Sequence, residues 1–299
     1  AVHEPLCARH GESRRVRSQR AIAVARVSAT CAAKFCIGIA PSVAAATEGG
    51  AQRRVSGTLA GAERNSAALR MELAELRSAP AGLGLNRNPM DLVLPRLYAI
   101  LDASHLADRS LAGVTESLLR AGVRLIQYRN KRGSSRELFD AAVQLAPPIR
   151  RAKGIFIMND RADVAWAAKA DGVHLGQEDL PVEAARAMLP PGKIIGISTH
   201  CLAQVEEANR SSADYIAFGP VFETRSKDKP GAATGLAALA EARKVVRKPL
   251  VAIGGITPER ARSALEAGAD SVAVIHALMS ASDPGEPARQ FLEAIVAAR

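Results

Sequence analysis

Two aspartates, Asp160 and Asp179, each follow a short apolar run, Ile155–Met158 in one case and Val173–Leu175 in the other. Carboxylates delivered from neighbouring strand ends suit a hard cation such as Mg²⁺, which takes one or two carboxylates and completes its shell with phosphate oxygens and water. The plainer alternative is that both acids cap the helices that follow. A second set, Gln127-x-Arg129-x-Lys131, repeats with the period of a strand, so its three side chains share one face. An inward Arg and Lys are costly to bury unless an anion meets them. Arg offers phosphate a planar fork and Lys a point charge. Arg132 fits a solvated basic loop instead.

Further along, Ser198 and His200 follow the run Ile194–Ile197. Ser198 suits a hydroxyl donor to a ligand oxygen, and His200 suits the cap of a turn. A long loop over 219–231 carries Thr224, Ser226 and Lys227 among other charged and hydroxyl residues. Such a loop fits either a phosphate-binding lid or a mobile charged segment. Gly254-Gly255 follows the run Leu250–Ile253, and Ile275-His276 closes the last run. Glycines there, with a helix starting after the last strand, would make a nest of backbone N–H groups for one phosphate.

Something must hold these groups on one face. Eight apolar runs supply it: Leu97–Leu101, Leu125–Tyr128, Ile155–Met158, Val173–Leu175, Ile194–Ile197, Tyr215–Phe218, Leu250–Ile253 and Val272–Ile275. Helix-like segments lie between most of them, including Leu111–Ala121, Ala162–Ala170, Pro181–Met188, Leu202–Ala208, Leu236–Val246 and Pro258–Ala267. Pro147-Pro148 should break or kink the second helix. Eight strand–helix units in about 200 residues predict a compact α/β fold, the (β/α)₈ TIM barrel, whose chemistry sits at the strand C-terminal ends. A doubly wound open sheet is the alternative, but no G-x-G-x-x-G follows the first strand.

The composition agrees. Of 299 residues 48% are hydrophobic and only 3% aromatic, which calls for an aliphatic core of the parallel α/β kind. The net charge of +10 is uneven, since residues 1–89 hold 13 Lys+Arg against 6 Asp+Glu. The folded part therefore carries no global charge argument for nucleic acid. Three of the four cysteines lie in the front segment, and their spacing shows neither a metal site nor a disulfide framework. The front segment has too few large apolar residues for a core and is expected to be a disordered extension or foreign to the protein, with translation starting at Met90. A transit peptide and a secretory signal are the alternatives. No run reaches the length of a membrane span.

The ordered set of motifs resembles the thiamine-phosphate synthase family. The match is carried by Gln127-x-Arg129-x-Lys131, Asn159-Asp160-Arg161, the stretch from Asp171 to Asp179, Gly196-x-Ser198-x-His200, Gly219-Pro220-Val221-Phe222, Lys227, Gly254-Gly255-Ile256 and Ala267-Gly268-Ala269-Asp270. It runs from about Leu97 to Ile295 and covers none of residues 1–89. The resemblance implies a transferase that joins an aminopyrimidine diphosphate to a thiazole phosphate, with a domain spanning residues 90–299. It implies Mg²⁺ on Asp160 and Asp179, and pyrophosphate contacts from Arg129, Lys131, Asn159, Ser198 and Lys227. Arg129, Lys131, Ser198 and Lys227 would act on the leaving group. It places Gln127 on the pyrimidine and the thiazole phosphate on Thr224, Ser226, Gly255, Ile275 and His276. The partners implied are small molecules, with neither nucleic acid nor membrane, in a cytoplasmic enzyme.

This chain departs from the family pattern at three places. Ser226 stands for the usual second Thr, His276 for a small residue and Glu223 for a proline. A related thiazole tautomerase shares the barrel but typically lacks the acidic pair. A non-catalytic phosphate-binding barrel would need the nest alone.

Overall fold

In the computed structural model, residues 92–224 and 232–296 are described. The strands are β1 (Leu97–Asp102), β2 (Leu125–Arg129), β3 (Ile155–Asn159), β4 (Gly172–Leu175), β5 (Ile194–Thr199), β6 (Tyr215–Phe218), β7 (Leu250–Ile253) and β8 (Ser271–Val274). Each pairs in parallel with the next, and β8 returns to β1, so the sheet closes into the expected barrel. Between and after them run α1 (Leu111–Ala121), α2 (Ser135–Arg151), α3 (Ala162–Ala167), α4 (Val182–Met188), α5 (Leu202–Arg210), α6 (Gly235–Val245), α7 (Pro258–Glu266), α8 (His276–Met279) and α9 (Gly285–Val296). The front segment expected to be disordered lies outside the described residues, as do Ser226 and Lys227. Among the described residues no helix is long and apolar enough to cross a membrane.

The local rules of the chain account for these boundaries. Ser110 accepts the N–H of Gly113 at the start of α1, Ser134 and Glu137 form a reciprocal capping box on α2, and Thr257 caps α7 just before Pro258. The strands are buried on both faces because helices cover the outside and side chains fill the inside. Trp166, the only tryptophan, lies on α3 with 54% of its surface exposed. One expectation is corrected, the break foreseen at the second helix. Pro147-Pro148 does not break the second helix, and α2 continues through both residues. The carbonyls that lose a helical partner belong to Val143 and Gln144, which are exposed, so water can take the place of the missing N–H groups.

One device recurs at the strand N-terminal end of the barrel. Before β4, β6 and β8 an aspartate reaches back to the preceding odd strand. Asp171 accepts the N–H of Phe156 at 2.8 Å, Asp214 that of Ile195 at 2.7 Å and Asp270 that of Leu250 at 2.8 Å. Arg186 grips Asp214, and Arg243 grips Asp270 at 2.9 Å. Replacing Asp214 by alanine removes the partner of a strand N–H and of a half-buried guanidinium at once. Asp214→Ala should therefore lower unfolding stability by about 2 kcal/mol, read by urea denaturation. A loss under a few tenths would show that the latch is not structural.

Candidate active site

The strand C-terminal ends bring together most of the residues singled out by type and spacing. Arg129, at the end of β2, points inward as the period of the strand requires, and its guanidinium meets the carboxylate of Asp102 at the end of β1. The register places the two side by side. Asp102 is almost wholly buried and also accepts the backbone N–H of Ser104 at 2.9 Å and its hydroxyl at 2.6 Å. Burial alone would raise its pKa. The Ser104 hydrogen bonds and the charge of Arg129 outweigh burial and hold the carboxyl below its ordinary value. Nothing in its spacing distinguished Asp102, because it ends an apolar strand with no motif around it.

Beside this pair stands the acidic site. Asp160 closes β3 in a left-handed conformation, φ 61°, which Asp tolerates better than most residues, and its N–H is held by the His174 carbonyl at 2.8 Å. Its carboxylate binds the Lys131 ammonium. Asp179 arrives from the loop after β4 and accepts the Gly176 N–H at 2.7 Å. The two carboxylates are within hydrogen-bond reach of each other and titrate as a pair. Burial and the neighbouring Asp179 carboxyl push Asp160 up to about 6 against the pull of Lys131. Asp179 is held down despite burial, by the Asp160 carboxyl and the Gly176 N–H. Two carboxylates brought this close, with Asp160 harder to ionise than usual, fit a divalent ion that would offset their charge. Among the described residues no group of three or more His, Cys, Asp or Glu could hold a metal. The rest of the shell would have to come from ligand oxygens and water, as Mg²⁺ prefers.

Inside the barrel below these groups lies a buried polar chain. Gln127 donates from Nε2 to the Tyr98 hydroxyl at 2.6 Å, and Tyr98 meets the Tyr215 hydroxyl at 2.9 Å. Tyr215 meets His174 Nδ1 at 2.9 Å, and His174 Nε2 meets the Ser198 hydroxyl at 2.8 Å. Burial raises both phenols well above their ordinary pKa, so they stay protonated. A Cβ on Gly196 would lie 2.0 Å from the Tyr215 ring, so glycine there makes room for the phenol. Asn159 is buried and in register with His174. Tyr98 and Tyr215 carried no motif signal. An inward period-two position on β1 and β6 was the only available clue.

The β6–β8 side holds the second group. Gly254 and Gly255 both have positive φ, 98° and 63°. A Cβ on Gly254 would lie 2.5 Å from Pro220, and one on Gly255 2.3 Å from the Glu223 carbonyl. The glycines thus let the β7 loop pack flat against the β6 loop and bring Gly255 against Phe222 and Glu223. Arg260, missed in the sequence, donates to the Gly255 carbonyl at 2.9 Å and lies over the Phe222 ring. Ile275 is the buried cap of α8 rather than the end of β8. His276 is exposed and packs edge-on to His105 at 6.0 Å. His200 Nδ1 donates to the Gly219 carbonyl at 2.6 Å, tying β5 to β6 as a turn cap would.

A closed parallel barrel with cations and carboxylates massed at its strand C-terminal ends has the layout in which barrel enzymes carry their active sites. Comparison with known proteins makes this specific. The model of the thiamine monophosphate synthase family matches residues 97–278, and the chain belongs to that family. It is similar to the thiamine-phosphate synthase of Koribacter versatilis (strain Ellin345), 47% identical over 209 residues that are 68% of this chain and 96% of the relative. That of Methanoculleus marisnigri (strain ATCC 35101 / DSM 1498 / JR1) is 44% identical over 203 residues, again 68% of this chain and 96% of the relative. Among solved structures, thiamine phosphate pyrophosphorylase from Pyrococcus furiosus superposes with a TM-score of 0.62 at 35% identity, over 68% of this chain and 96% of the other. The chain is accordingly an enzyme, a transferase of thiamine biosynthesis.

The Asp102–Arg129 pair makes a pH statement. Because the Asp102 carboxyl titrates below its ordinary value of 3.8, its contribution to stability is present above that pH and is lost as pH falls through the folded-state value. In Asp102→Asn the acid limb of a stability–pH curve, followed by urea unfolding between pH 5 and 2, should be shallower than in the wild type. Parallel curves would remove Asp102 from the account of acid sensitivity.

Proposed function

We propose that the enzyme condenses an aminopyrimidine diphosphate with a thiazole phosphate, releasing pyrophosphate and forming thiamine phosphate, with Mg²⁺ held by Asp160 and Asp179. The observation that carries this reading is the neighbouring Asp160 and Asp179 carboxylates with Lys131 bound to Asp160, beside the Arg129–Asp102 pair. A tautomerase or a passive phosphate binder has no use for that acidic pair. The names of the similar proteins support the same chemistry.

In this reading the diphosphate lies over β2–β5, where Arg129, Lys131, Asn159 and Ser198 meet its oxygens, and Lys227 is the further cation assigned to it. Gln127 holds the pyrimidine. Thr224, Ser226, Gly255 and the backbone at Ile275-His276 hold the thiazole phosphate. Bound Mg²⁺ supplies charge neutralisation to the diphosphate. The carbon–oxygen bond to pyrophosphate breaks first, leaving a cationic pyrimidine methylene that the thiazole nitrogen captures. No protein nucleophile is required, so the work of the side chains is to stabilise the charge growing on the leaving group and to hold the two rings in line. His276 and Glu223 shape the thiazole end in a way particular to this chain.

Asp160→Asn and Asp179→Asn should each lower turnover at least about a hundredfold, while thiazole phosphate binding, read by calorimetry, changes little. Mg²⁺ binding to the wild type should weaken as pH falls through about 6, because the cation competes with the proton on Asp160. Near-normal turnover of either variant at limiting Mg²⁺ would refute the assignment. The activity is also assigned to residues 90–299. A chain starting at Met90 should retain turnover within about twofold, and loss of soluble activity would give the front segment a structural part.

A further inference from the structure

The five-residue chain inside the barrel has a property that its members lack singly. We propose that Gln127, Tyr98, Tyr215, His174 and Ser198 form a directional hydrogen-bond relay, in which the way the Gln127 amide faces sets whether Ser198 can donate to the ligand. The ligand side of this proposal rests on the synthase reading above.

Each phenol has one proton and a neutral imidazole has one N–H. The donor at any junction therefore decides the donor at the next. Gln127 gives its Nε2–H to Tyr98, so Tyr98 must donate to Tyr215 and Tyr215 to His174 Nδ1. His174 then carries its proton on Nε2 and donates to Ser198. Ser198 has accepted, which leaves its own O–H to point elsewhere. In this polarity Gln127 offers Oε1, an acceptor, and Ser198 offers a donor. If the amide turns over, every bond reverses: Ser198 spends its proton on His174, and Gln127 presents an amide donor.

A mixed arrangement leaves two protons or two lone pairs facing each other at a junction. Tyr98 and Tyr215 are nearly inaccessible, so no solvent repairs such a fault. Both ends therefore switch together. The forward polarity matches an aminopyrimidine diphosphate at both ends, since the amino N–H needs an acceptor and a diphosphate oxygen needs a donor. Tyr98, Tyr215 and His174 are thus positioning residues that act on specificity through Gln127 and Ser198.

The first measurement needs no substrate. Nitrogen-15 NMR of histidine-labelled protein, at a pH where His174 is neutral, should show it protonated on Nε2, with the signal assigned by its loss in His174→Gln. The Nδ1–H tautomer would overturn the proposal whatever the reaction proves to be. The second compares turnover of the aminopyrimidine diphosphate with that of the analogue carrying an exocyclic oxygen in place of the amino group. The wild type should favour the amine. Tyr215→Phe keeps the ring and cuts the relay, so the preference in kcat/KM should fall by about tenfold or more. An unchanged preference in a folded Tyr215→Phe protein overturns the relay, and Tyr98→Phe cuts the adjacent junction if that variant does not fold. Should neither fold, the tautomer alone decides. Absence of turnover on either pyrimidine would count against the synthase reading and leave the tautomer result standing.

Discussion

The hydrogen bond between the hydroxyls of Tyr98 and Tyr215 joins strands β1 and β6, which are not neighbours in the sheet, so it must pass through the barrel. A closed barrel of this size has to fill its interior with side chains. Here the filling near the site is polar, and polar groups sealed from water are tolerable only when they satisfy one another. Among the described residues no buried side-chain nitrogen or oxygen lacks a partner. The aromatic pair therefore serves two constraints together. It closes the interior beneath the reacting groups, and it fixes the geometry of the two side chains, Gln127 and Ser198, that look upward from it.

Above that floor the charges come already compensated. Arg129 has Asp102 and Lys131 has Asp160, with Asp179 beside it. An unpaired cluster of this density would be costly to bury. Internal pairing lets the barrel carry cations and acids side by side at one end. The same balance explains why the strand N-terminal end is built differently, with aspartates committed to backbone N–H groups and to arginines that touch nothing of the site.

The barrel was legible because parallel strands buried on both faces read as short continuous apolar runs, separated by capped helices with turn residues between them. Tyr215–Phe218 and Leu250–Ile253 match the observed strands residue for residue, and Leu111–Ala121 is the observed first helix. The β5 strand runs two residues further than its apolar core, to Thr199, since Ser198 and Thr199 pair with β6 although neither is apolar. At the site, Asp160, Asp179, Arg129 and Lys131 stood out because charge at a strand end is conspicuous. Asp102 and the tyrosines did not. Their partners come from strands far away in the chain, and a single residue inside an apolar run says nothing about what it will face. The two prolines in α2 misled for a related reason: their cost depends on whether the orphaned carbonyls reach water, which only the folded surface decides.

The distribution of aromatic side chains also fixes what light can report. All three tyrosines are buried and the single tryptophan stands half in solvent on α3. Indole emission from the native protein is already that of a wetted ring, so opening the barrel changes its colour little. The phenols behave oppositely. Burial holds the pKa of each above its ordinary value, and the absorbance of phenolate is suppressed in alkali for as long as the barrel stays shut. Ultraviolet absorbance at high pH therefore follows the integrity of the barrel interior, while tryptophan fluorescence follows only the surface helix beside the acidic site.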